Sequence, residues 1–214
     1  MTITFDQWRS VHPAFDHKGL SQTYVDTGNV EGENRPVILL FHGYPTWSYD
    51  WVDVIGPLSV GHRIIAADWI GYGLSDKPSR HVRVDEQINR LVALLDHLGV
   101  EDFHLVAHDY GSTCAQEMLD RPDIAARTKT LTLMNGGVIF SAYKPTQTQK
   151  LLISPLGSLV SRFLSKDRIK TKLDALRDVG LLKAVLMTHP LPKIIKLDAF
   201  HGLAAQRIKL GFDP

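Results

Sequence analysis

Short apolar runs alternate along this chain with longer stretches in which apolar side chains recur every three or four positions. Residues 36–41 (PVILLF) form one unbroken apolar run, the pattern of a strand buried on both faces. It closes on His42, Gly43, Tyr44 and Pro45, a glycine–proline corner. From Thr46 to about Leu58, the residues Trp47, Trp51, Val54, Ile55 and Leu58 fall at helical spacing. Residues 63–67 (RIIAA) read as the next strand and lead into a loop-rich stretch from Asp68 to Pro78. Between Val84 and Leu98, Ile88, Leu91, Val92, Leu94, Leu95 and Leu98 make a helical stripe, with Gly99 as its stop. A strand over 102–107, a helix from Gly111 to about Arg121 halted by Pro122, and a strand over 130–134 complete the series. Strands and helices taking turns in this way predict an α/β fold, a mostly parallel sheet wrapped by helices.

After Asn135, Gly136 and Gly137 the rhythm changes. Helical stretches follow at about 146–165, 167–188 and 193–210, without a strand closed by a turn. Residues 1–140 therefore read as the sheet-bearing core and residues 141–214 as a helical lid fragment that returns no strand. Charge shifts at the same place. Residues 1–165 hold 14 Lys and Arg against 18 Asp and Glu, whereas residues 166–214 hold 10 against 5, and the last glutamate is Glu117.

Composition narrows the function. A net charge of +1 gives no field that would draw nucleic acid or a membrane surface. No apolar run approaches the roughly 18 residues of a membrane span, and no signal-peptide pattern opens the chain, so a cytoplasmic location is expected. One cysteine, Cys114, excludes an internal disulfide. No His, Cys or Asp cluster has metal-ligand spacing, and Gly71 and Gly73 lack the third glycine of a dinucleotide loop, so no metal and no cofactor are expected.

The chemistry concentrates where the strand at 102–107 meets the following helix. Ala107, His108, Asp109, Tyr110 and Gly111 place an aspartate between small residues. A strand-to-helix elbow needs small neighbours because the backbone turns too sharply for side chains. Its central residue takes a positive φ, which aspartate tolerates better than most. Together with the stretches 42–49 (HGYPTWSY), 68–78 (DWIGYGLSDKP) and 133–137 (LMNGG), this elbow resembles the α/β-hydrolase superfamily. Within it, the motifs resemble the aspartate-nucleophile branch of haloalkane dehalogenases and epoxide hydrolases, and are most similar to the mesoderm-specific transcript group. The resemblance spans about residues 20–165. It implies that Asp109 attacks an electrophilic carbon to form a covalent ester. It also implies an oxyanion hole from the backbone N–H groups of Tyr44 and Tyr110, each donor typically worth about 3–4 kcal/mol in the transition state.

The family's acid and water-activating histidine follow later strands, and those strands are not visible here. His189 and His201 are the histidines beyond the elbow, and neither follows a strand-like run. The chain is therefore expected to be a truncated hydrolase that lacks its last core strands, with an exposed sheet edge through which copies could associate. His108 neighbours the nucleophile, but adjacent strand residues point to opposite faces, so a structural role is favoured. Asp68 is expected to satisfy backbone N–H groups in its glycine-rich turn. His42, Trp47 and Trp69 are candidates for lining a pocket, with core packing the competing role for each tryptophan. Tyr110 stands where a dehalogenase would present an indole N–H, and Tyr143 is the one tyrosine after the elbow helix available to assist epoxide opening. The expected function is hydrolysis of a small apolar electrophile, of epoxide or alkyl halide type. The alternative is an inactive fragment or a non-catalytic pseudo-enzyme.

Overall fold

The computed structural model describes Trp8, residues 12–29 and 34–136, and residues 147 and 150. The described elements run β1 (Ala14–His17), β2 (Leu20–Asp26), β3 (Val37–Phe41), a 3-10 turn (Ser48–Trp51), α1 (Val52–Leu58) and β4 (Arg63–Ala67). They continue with α2 (Val84–His97), β5 (Phe103–His108), α3 (Tyr110–Leu119), α4 (Pro122–Arg127) and β6 (Thr128–Met134). The described residues up to 136 belong to one compact unit. The lid expected over 141–214, with Tyr143, His189 and His201, lies outside the described residues apart from positions 147 and 150.

Six strands form one sheet in the order β1-β2-β4-β3-β5-β6. The pairs β4·β3, β3·β5 and β5·β6 are parallel, whereas β1·β2 and β2·β4 are antiparallel. The hairpin β1–β2 departs from the sequence reading, which placed no strand before residue 36. Its two-residue loop, Lys18 and Gly19, holds φ of 48° and 73°. Two positive φ values in succession match the right-handed twist of the strands they join.

β3 is buried along its whole length, and alternate residues serve opposite cores. Leu39 and Phe41 pack with Ile65, Leu105, Ala107 and Leu131 under α2, α3 and α4. Ile38 and Leu40 pack with Ile64, Ala66, Trp51 and Ile55 on the face covered by α1. The stripe predicted on α2 is the buried one, with Ile88, Leu91, Leu94 and Leu95 all fully inside. Gly99, at φ 64°, ends this helix, and the Val100 N–H reaches back to the Leu95 carbonyl. Pro122 does more than halt α3, since it occupies the first turn of α4, where its missing N–H costs nothing. The helix expected from Thr46 begins instead as a 3-10 turn at Ser48. Among the described residues no helix is long and apolar enough to cross a membrane.

The sheet converges on the start of α3, where Gly111 leaves no room for a side chain. A Cβ there would lie 2.7 Å from the Phe41 Cβ and 2.8 Å from the backbone oxygens of Phe41 and His42. The Phe41 oxygen lies in the paired strand β3 and the His42 oxygen in the buried corner that follows, so neither moves aside freely, and Gly111→Ala is expected to cost about 1–3 kcal/mol of stability. Urea denaturation would measure it, and a loss below about 0.5 kcal/mol, the level of an ordinary surface change, would contradict the account.

Candidate active site

The elbow is built by backbone geometry first. Asp109 sits between β5 and α3 at φ 51° and ψ −115°. Such a conformation costs a non-glycine residue about 1–3 kcal/mol and persists only where the surroundings hold it. They do so from several sides. The Asp109 N–H donates to the Met134 carbonyl at 2.9 Å, and the Ser112 N–H donates to the Asp109 carbonyl at 2.9 Å. The Ser112 hydroxyl, fully buried, lies 3.2 Å from the Ala107 carbonyl and 3.3 Å from that of Met134.

The carboxylate is then oriented by the corner after β3. The Tyr44 backbone N–H donates to Asp109 Oδ1 at 2.8 Å. Gly43 makes this approach possible, because a Cβ there would stand 2.8 Å from the Asp109 Cβ and 3.1 Å from Oδ1. Among the described residues nothing bonds Oδ2. Tyr110 opens α3, so its N–H belongs to the first turn, which has no acceptor within the helix. Among the described residues that N–H meets no carboxylate oxygen, and the donor on the Asp109 carboxylate is that of Tyr44.

The corner is itself held by a buried aspartate. Asp68 Oδ1 accepts the Ser48 N–H and Oδ2 accepts the Leu74 N–H, both at 2.8 Å. This is the turn-satisfying role read from the sequence. His42 is fully buried beside it, donating from Nδ1 to the Gly43 carbonyl at 2.9 Å and accepting the Trp69 N–H on Nε2 at 3.1 Å. Trp69 is fully buried too; its indole N–H donates to the His42 carbonyl, and its ring meets Phe41 edge-on at 4.8 Å. These two pocket candidates therefore stand behind the wall and position it. Trp47 is half-buried and packs with Tyr49 and the α1-side core.

Two residues the sequence reading passed over or set aside come close to the carboxylate. His108 brings Nδ1 within 3.1 Å of where a Gly43 Cβ would be, the same point that Asp109 crowds. Asp50 accepts the Thr46 hydroxyl, and Thr46 is bound to the Gly43 carbonyl. Loss of solvation raises the Asp50 carboxyl above its usual range, with like charge from Asp109 and Asp68 adding to the rise and Thr46 and His108 opposing it. The available signal was the spacing from Thr46 to Asp50 just past the glycine–proline corner. Among the described residues no group of three or more His, Cys, Asp or Glu is placed to hold a metal ion.

A groove of about 530 Å³ adjoins the elbow, and Tyr44 and Tyr110 are among its lining residues. Tyr110 is stacked on Tyr72 with ring centroids 5.9 Å apart, and Tyr72 meets Tyr44 edge-on at 6.2 Å. Burial pushes the Tyr72 phenol up to about 12 and raises that of Tyr110 as well. Both therefore stay protonated at neutral pH.

The site is thus a strained aspartate at a strand-to-helix elbow, facing a backbone N–H from the sheet corner after β3. Residues 36–174 match the family model described as alpha/beta hydrolase fold, and the chain belongs to that family. It is 41% identical over 167 residues to the mesoderm-specific transcript homolog protein of Bos taurus, covering 74% of this chain and 49% of that protein. It is 37% identical to a haloalkane dehalogenase of Mycolicibacterium paratuberculosis over 58% of this chain and 40% of the relative. Among solved structures it is similar to a mutant haloalkane dehalogenase of Agrobacterium tumefaciens C58, with a TM-score of 0.58, 26% identity, and 72% of this chain and 55% of that one covered. It is similar also to the epoxide hydrolase CorEH, with a TM-score of 0.53, 27% identity and coverage of 67% and 49%. The chain thus spans about half the length of the curated relatives it matches.

Two pH responses follow from His42 and Asp50. Burial lowers His42 from 6.5 to about 4. The unfolded chain therefore takes up a proton that the folded one refuses. The stability His42 contributes is complete above pH 6.5 and falls by about 1.4 kcal/mol per unit as pH drops from there toward 4. Urea titrations across that window should show the slope, and His42→Gln should flatten it; an equally steep variant would refute the assignment. Asp50 has the opposite sense. Its raised carboxyl makes the ionised form a burden that grows as pH climbs past the ordinary 3.8. Asp50→Asn should therefore melt above wild type at pH 7, and the two should converge below pH 3.8.

Proposed function

We propose that this chain carries out nucleophilic substitution through Asp109 on a small electrophile of alkyl halide or epoxide type, forming an ester on the enzyme. The observation that supports the reading is the asymmetry of the carboxylate. Tyr44 holds Oδ1 at 2.8 Å and leaves Oδ2 without a partner among the described residues. A lone pair on Oδ2 attacks the electrophilic carbon, and the carbon–halogen bond breaks with its electron pair leaving on the halide. With an epoxide the ring carbon–oxygen bond breaks, and the oxygen takes its proton from water.

The same hydrogen bond then serves the second half of the reaction. In the ester, Oδ1 is the carbonyl oxygen, still facing the Tyr44 N–H. Water adds to Cγ, its proton passing to a base, and negative charge collects on Oδ1. A donor already aimed at that atom lowers the barrier, and loss of one such donor typically costs about 10²–10³-fold in rate. Collapse breaks the Cγ–Oδ2 bond; the departing oxygen takes the proton held by the base and leaves as the alcohol, and the water-derived hydroxyl on Cγ loses its own proton to solvent, which restores the carboxylate. His108 and Asp50 are titratable groups near the carboxylate among the described residues, and the family's usual base follows a later strand. The relatives' names, haloalkane dehalogenase and epoxide hydrolase, suggest the two electrophile classes.

Purified protein offered an alkyl bromide and an aryl epoxide should release halide or diol, and Asp109→Asn should abolish release by about 10⁴-fold or more. Intact-mass spectrometry should find the alkyl group on the peptide containing Asp109. Turnover that survives the substitution would exclude Asp109 as the nucleophile. An adduct that accumulates without release would instead identify a protein that performs the first half-reaction alone.

A further inference from the structure

The groove beside the elbow has a chemical polarity that an apolar electrophile does not use. One wall is aromatic, made by Tyr44, Tyr72 and Tyr110. The remaining lining includes Lys77, Arg80 and His81, and no carboxylate side chain is among the described lining residues. The three basic groups are not equivalent. Arg80 is held in a two-pronged bond by Glu86, at 2.8 and 2.7 Å, which compensates its charge.

Lys77 is different. Its ammonium donates to the carbonyls of Gly73 and Ser75 at 2.7 and 2.9 Å, and among the described residues no carboxylate meets it. Those two bonds fix the direction of the ammonium. An ammonium carries three N–H donors, so one remains to point elsewhere. The loop that holds Lys77 is itself clamped: Gln87 receives the Ile70 N–H at 2.9 Å and returns a bond to the Ile70 carbonyl at 2.8 Å. The result is an exposed, oriented cation that no carboxylate meets among the described residues, in a groove lined also by Tyr110, which follows Asp109, and by Tyr44, whose N–H bonds its carboxylate.

We propose that this groove is the substrate subsite and that it selects an electrophile carrying a carboxylate, seated on Lys77, with a planar or apolar middle lying along the tyrosines. The proposal rests on the nucleophilic role of Asp109 and adds the substrate class. An alternative is that Lys77 merely ties its own turn together. In that case its replacement would change stability and leave discrimination between charged and neutral ligands untouched.

The test uses product-like probes that bind without reacting, 4-(hydroxymethyl)benzoate and its neutral amide, titrated calorimetrically against the whole chain. The acid should bind about tenfold tighter than the amide, the size of one charge-assisted hydrogen bond. The preference should shrink with added salt, persist in Lys77→Arg and vanish in Lys77→Gln. It should survive in Asp109→Ala, because the subsite does not need the nucleophile. Equal binding of acid and amide, or a preference that Lys77→Gln retains, would overturn the proposal. If Lys77→Gln fails to fold, the salt titration of wild type decides, since a salt-independent preference would also overturn it. Acid preference in a protein without turnover would retain the subsite and discard the nucleophile; turnover without acid preference would do the reverse.

Discussion

The arrangement above the sheet depends on one buried carboxylate, that of Asp68. It has no exposed surface, and backbone N–H groups from two separate loops converge on its oxygens. Its own N–H donates to the Thr23 carbonyl, and its carbonyl accepts from Gln22 and Ser75. One residue thereby joins β2, the corner after β3 and the loop after β4. A buried charge is tolerable only when such donors replace its lost water. The corner tied down in this way carries Tyr44, so the aim of the Tyr44 N–H at Asp109 is inherited from a group in another loop. Gly73 shows how tight the junction is, because a Cβ there would collide with the Asp68 carboxylate.

Much of this was legible in the chain, for physical reasons that differ by element. β3, β4 and β5 announce themselves because strands buried between helices are almost wholly apolar, and α2 because a helix on a sheet buries one stripe. The β1–β2 hairpin was not legible. It lies at the sheet's end, and its inward residues include Gln22 and Thr23, buried polar groups whose partners come from the loop after β4. Polarity in such a strand reads as exposure until the distant partner is known.

The site divides in the same way. That Asp109 and Tyr44 stand together was legible because an elbow and a glycine–proline corner are local signatures. The fate of His42 and Trp69 was not, since large rings read equally well as wall or as core, and only the bond between them places both inside. The groove was invisible for a further reason. It is assembled from positions near 44, 72, 80 and 110, which no local pattern links.

Tyr44 has a consequence for how such a protein can change over time. Its backbone N–H faces the carboxylate, while its side chain is 61% exposed and faces the groove. Any residue other than proline could deliver the same N–H. Contact with the carboxylate and contact with the groove are thus assigned to different atoms of one residue. A single codon could reshape the groove's wall while the bond to the Asp109 carboxylate continued unaltered.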